Sequence, residues 1–116
     1  MRTTVRRQYQ RTLRRHGILQ RAKALTLALI PDAEIILYGS RARGEASLYS
    51  DWDLLILTDL DITPELEASL WDALYTLGVE YRTVISAVIK NRCDWSTTLS
   101  QALPYHQQIA HDGVHI

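Results

Sequence analysis

The chain has 116 residues, 47% of them hydrophobic, and a formal net charge of zero. That size and apolar content suit one domain with a real core and exclude a disordered chain. A single cysteine, Cys93, excludes an intramolecular disulfide and argues against a zinc cluster.

The first 23 residues carry eight Lys/Arg and no acid, whereas the remainder carries five basic and thirteen acidic residues. Two readings stand: a solvated helix face docked electrostatically on an acidic body, which is favoured, or an arm for nucleic acid or a partner. Helix is predicted to about Ile30, with Val5, Tyr9 and Leu13 at helical spacing and Gly17 breaking or kinking it. The longest apolar run, Ala24–Ile30, is interrupted by Thr26 and is far short of the ~20 residues of a membrane span. The basic start is not followed by a cleavable signal, so no membrane and a reduced, cytoplasmic setting are expected.

Glu34–Tyr38 is predicted as a strand ending at Gly39-Ser40, and Arg41–Ser50 as a polar segment with one short helical turn. Asp51–Thr58 reads as a second strand. Thr63 caps the next helix, Pro64 suits its first turn, and Leu66, Leu70, Ala73, Leu74 and Leu77 form its buried stripe. Gly78 is expected to stop that helix, and Val79–Lys90, rich in β-branched residues, to form a third strand. Asn91–Trp95 is read as a loop, Ser96–Leu103 as a short helix and Pro104–His111 as a final helix.

The chemistry is concentrated in Gly39–Leu57. On a strand, Asp51 and Asp53 share a face with Cα atoms ~6.6 Å apart. Two adjacent carboxylates repel and favour a cation between them. Hard oxygen donors suit Mg²⁺, which completes its shell with substrate phosphates, as one ion or as a pair. Gly39 lets backbone approach a ligand closely, Ser40 offers a hydroxyl, and Arg41 and Arg43 bring permanent charge that can clamp phosphate.

The Gly-Ser pair, the ten-residue spacer and the strand-borne Asp-x-Asp resemble the signature of the DNA polymerase β nucleotidyltransferase superfamily. The wording Gly39-Ser40-Arg41-Ala42-Arg43-Gly44 is similar to its minimal nucleotidyltransferase branch. The motif covers Gly39–Asp53, and the order of elements extends the resemblance over most of the chain. The resemblance implies an α+β nucleotidyltransferase fold: a small mixed sheet of three or more strands packed with helices. It implies one domain over 1–116, with a basic helical segment at 1–30 and a catalytic core at 34–90. It assigns the metals to Asp51 and Asp53, and the triphosphate of ATP or another nucleoside triphosphate to Gly39 and Ser40, with Arg41 or Arg43 assisting. A third carboxylate belongs on the following strand, where Glu80 is the one acid available; it reads equally as a solvated strand-end residue. The resemblance further implies AMP transfer from ATP to an acceptor, with a HEPN-type protein partner of the toxin–antitoxin kind supplying it.

The rival reading is a binding module that keeps the fold and neutralises a partner by masking it. Nucleic acid as the partner is disfavoured by the neutral charge and the lack of a reading motif. Trp52 alternates away from the two acids and is expected in the core; the four histidines and Cys93 are read as structural or surface residues.

Overall fold

The computed structural model describes the backbone of residues 2–116 and the side chains from Val5 onward. Met1 and the Arg2 side chain, both within the basic segment, lie outside the described residues. The elements are α1 (Arg2–Arg15), α2 (Gly17–Leu29), β1 (Glu34–Tyr38), α3 (Ser40–Arg43), β2 (Trp52–Thr58), α4 (Pro64–Glu80), β3 (Ile85–Asn91), α5 (Arg92–Trp95), α6 (Thr98–Ala102), α7 (Pro104–Asp112) and β4 (Val114–His115).

The sheet is mixed, in the order β3-β2-β1-β4. β1 pairs antiparallel with β2 and with β4, while β2 and β3 run parallel across the α4 crossover. Strand alternation divides the core into two layers. Ile35, Leu37, Trp52, Leu54, Ile56 and Ile89 face α2 and α4, which contribute Ile18, Leu19, Ala22, Leu70, Leu74 and Leu77. Ile36, Leu55 and Leu57 face the other way and meet Ile109 of α7 and Trp95 of α5. The α+β class and mixed sheet match the expectation from the sequence.

Two helices do form, but the break falls at His16 and Gly17 is the first residue of the second. His16 adopts an extended conformation between them, and its Nδ1 accepts a hydrogen bond from the Ile18 N–H at 3.4 Å. The basic N-terminal segment lies on the body: Arg6 donates to the His111 carbonyl at 3.2 Å, Arg14 to the His115 carbonyl at 2.8 Å, and Arg21 pairs with Glu80 at 2.6 Å. Arg6, at the carbonyl end of α7, also complements that helix's dipole.

Three expectations about the elements need correction. Gly78 does not stop α4, which continues to Glu80 because Leu70, Leu74, Leu77 and Gly78 form one buried face. A Cβ at Gly78 would lie 2.7 Å from the Thr83 carbonyl, so this glycine serves the close return of the chain toward β3. The third strand accordingly begins at Ile85 rather than Val79, and Glu80 is a helical residue. Asn91–Trp95 is no loop: the Asn91 side chain accepts from the Cys93 N–H and caps α5. A fourth, two-residue strand, Val114–His115, joins β1.

Candidate active site

β1 ends at Tyr38, and the chain turns at Gly39 into the single turn of α3. Gly39 has φ 78° and ψ −164°, a combination open essentially to glycine alone. A Cβ added there would lie 2.5 Å from Asp53 Oδ2. The turn therefore brings bare backbone against a carboxylate of β2. Ser40 opens α3, and the N–H groups of Ala42 and Arg43 bond back to the Gly39 carbonyl at 3.1 and 3.2 Å.

Asp53 is in register with Tyr38 of β1 on one side and Ser86 of β3 on the other, so these three side chains share a face of the sheet. Burial raises the Asp53 carboxyl above the ordinary carboxylate range, and the neighbouring Asp51 carboxylate raises it further; Arg43 opposes both. Asp51 is exposed and sits one residue before β2, not on it as the sequence reading had it. The reason is the ladder: pairing with β1 ends at Asp53, and Trp52 pairs with Ile85 of β3, its N–H bonded to the carbonyl of Val84 just before that strand at 2.9 Å.

The two acids thus form a like-charged pair with only partial compensation. Among the described residues no cluster of three or more His, Cys, Asp or Glu could enclose a metal ion. Two carboxylates beside a glycine turn open to a phosphate fit the donor set of a hard divalent cation that takes its remaining ligands from substrate and water.

The arginines divide. Both Nε and Nη2 of Arg41 donate to the Ser50 carbonyl, at 3.1 and 2.8 Å, and the guanidinium lies 4.2 Å from the Trp52 ring centroid. Arg43 contacts Glu45 at 3.2 Å and Asp112 at 3.8 Å, and its charge is felt at Asp53. Glu80, expected near the acids on the third strand, is on the last turn of α4, where the bond from Arg21 holds its carboxyl below the ordinary range. β3 itself, Ile85–Asn91, contains no acid.

Tyr38 was not anticipated. Burial above all, with the nearby Asp53 charge adding to it, holds its phenol protonated well above the ordinary tyrosine range; its hydroxyl lies 3.2 Å from that of Tyr105. Its position before Gly-Ser and the register of the hairpin would have placed it opposite Asp53. Ser86 lies inside the expected third strand, but the parallel register that sets it beside Asp53 is fixed by the α4 crossover and has no sequence signature.

The chain matches the family model described as "Nucleotidyltransferase domain" over residues 18–100, a span that includes β1 to β3 and every acid and glycine of this site. A solved structure described as "Crystal structure of the toxin-antitoxin with AMP-PNP" is similar in fold, with a TM-score of 0.61 at 19% identity, covering 86% of this chain and 72% of that one. No curated protein matches the chain.

Proposed function

The chain belongs to the nucleotidyltransferase domain family, and from that premise we propose that it transfers AMP from Mg·ATP to a hydroxyl of a protein partner, through Asp51, Asp53 and the Gly39 turn. The observation that carries this reading is the approach of Gly39 backbone to the Asp53 carboxylate, beside a second acid at Asp51. A triphosphate lying on the Gly39-Ser40 turn comes directly against the two acids.

In this reading Asp51 and Asp53 hold the divalent cation, which supplies charge neutralisation to the phosphates when bound. Gly39 gives backbone access, Ser40 a hydroxyl donor, and Arg43 a positive charge near Asp53. The acceptor oxygen forms a bond to the α-phosphorus, the bond from that phosphorus to the β-phosphate oxygen breaks, and pyrophosphate leaves with the electron pair. The acceptor's proton is released. What the chain contributes is positioning and preset charge.

A protein acceptor agrees with the resemblance to minimal nucleotidyltransferases and with a structural neighbour that is itself a toxin–antitoxin; a small helical partner of the HEPN type is the form proposed. The test is transfer of label from α-³²P-ATP to a co-expressed partner, with pyrophosphate release, in wild type and in Asp51→Asn.

A second reading has its own support. With no acid on β3 and Ser86 in register with Asp53, a side chain suited to deprotonate the acceptor is missing from that strand. In this reading the chain neutralises its partner by binding. Neutralisation that survives Asp51→Asn/Asp53→Asn would select masking; neutralisation that is lost while the complex still forms would select transfer.

A further inference from the structure

Asp51 stands just outside the β-ladder, exposed, and its carboxylate has no hydrogen bond or ion pair within the described residues. Its direction must then be set by the residues on either side. Arg41 grips both. Two of its N–H groups converge on the Ser50 carbonyl at 3.1 and 2.8 Å, and its guanidinium carbon lies over the Trp52 ring, 4.2 Å from the centroid. Trp52 is almost fully buried and anchored to β3, so it gives the guanidinium a fixed base. Arg41 is itself tied at its backbone, where its carbonyl accepts a bond from the Tyr9 hydroxyl.

We propose that Arg41 is a positioning residue that fixes Asp51 for the divalent cation, leaving Arg43 as the arginine that meets the triphosphate. The proposal rests on the reading of Asp51 and Asp53 as the cation site. A guanidinium has five donors in a rigid plane. In Arg41 two are committed to one carbonyl and the guanidinium carbon sits over the Trp52 ring. Arg43 carries looser contacts, to Glu45 at 3.2 Å and to Asp112 at 3.8 Å. A lysine at position 41 offers a point charge that cannot make the paired bonds and stack at once.

The test is the Kd of a fluorescent ATP analogue, measured in EDTA and again with Mg²⁺, for wild type, Arg41→Gln, Arg41→Lys and Arg43→Gln. Outer-sphere groups that orient metal ligands typically change metal affinity by about 10–100-fold. Both Arg41 variants should lose about ten-fold of the Mg²⁺-dependent gain while keeping the EDTA affinity within about two-fold. Arg43→Gln should lose EDTA affinity and keep the gain. In wild type, the Arg41 Nε–H resonance should stay in place when ATP is added in EDTA, while that of Arg43 shifts; this arm requires no substitution. Loss of EDTA affinity in Arg41→Gln, restoration by Arg41→Lys, or an ATP-induced shift at Arg41 Nε–H would overturn the proposal alone. A wild type without any Mg²⁺-dependent gain would overturn the cation-site reading and the proposal together.

Discussion

The backbone of Gly39 and the carboxylate of Asp53 are so close that a single added carbon at residue 39 would stand 2.5 Å from Asp53 Oδ2. The neighbour is the carboxylate end of a side chain on a central strand, in register with Tyr38 and Ser86, and it would have to leave its present place. Gly39→Ala therefore combines a backbone conformation reserved for glycine with a steric conflict. It should lose about 1–3 kcal/mol of stability in urea titration together with most ATP affinity. Gly44→Ala is the comparison: its φ is also positive, at 79°, but its Cβ meets the Tyr9 ring at an ordinary 3.6 Å. It should lose about 1–2 kcal/mol and leave ATP binding intact.

Asp53 sets function against stability. Its carboxyl is raised by burial first and by Asp51 second. A raised folded value means that the proton is held more tightly in the native state. The associated stability is full below the unfolded value and is lost as pH rises through the raised folded value. Asp53→Asn should remove that pH dependence and melt higher than wild type at neutral pH, while losing Mg²⁺-dependent nucleotide binding. A thermal melt at several pH values checks this; an Asn variant that melts lower at pH 7 would count against an uncompensated acid pair.

The end of α4 carries an arginine where glycine is usual. The Thr83 N–H reaches the Gly78 carbonyl at 2.9 Å and the Arg82 N–H reaches Val79 at 3.1 Å, with Arg82 at φ 55° between them. This is the paired-bond helix terminus whose left-handed residue favours glycine. Arg82→Gly should raise stability by up to about 1 kcal/mol, the left-handed cost relieved less the added chain entropy. Chemical denaturation reads it directly.

Glu80 and Arg21 form an exposed ion pair between α4 and α2. Pairs of this kind contribute little to stability. Glu80→Gln should leave ATP affinity and Mg²⁺ dependence within about two-fold, and label transfer likewise. A loss of transfer with unchanged binding would instead make this helical acid part of the reaction.

The parts of the site that depend on local chain geometry were legible in the sequence. Gly39-Ser40 follows a short β-branched strand, and Asp51 and Asp53 stand at the start of another, so their meeting at one end of the sheet follows from a hairpin-like pairing of β1 with β2. What tertiary contacts decide was not legible. The run from Val79 to Lys90 has strand composition throughout, yet its first two residues continue α4, because Gly78 is buried against the returning chain rather than exposed at a helix end. The assignment of Glu80 to a strand fell with that boundary. Val114–His115 became a strand only through the free edge of β1. Arg41 looked like a phosphate ligand because it is next to the turn; that its donors converge on the Ser50 carbonyl depends on how the segment between β1 and β2 folds back, which has no sequence signature.

The central claim is that Asp51 and Asp53, set against the Gly39 turn, bind a nucleoside triphosphate with a divalent cation. Calorimetric titration of ATP with Mg²⁺ into wild type and into Asp51→Asn/Asp53→Asn tests it most directly. Micromolar binding in wild type that disappears in the double variant, with both proteins folded by circular dichroism, is the predicted result. Equal binding in the two proteins, or none in folded wild type, would contradict it.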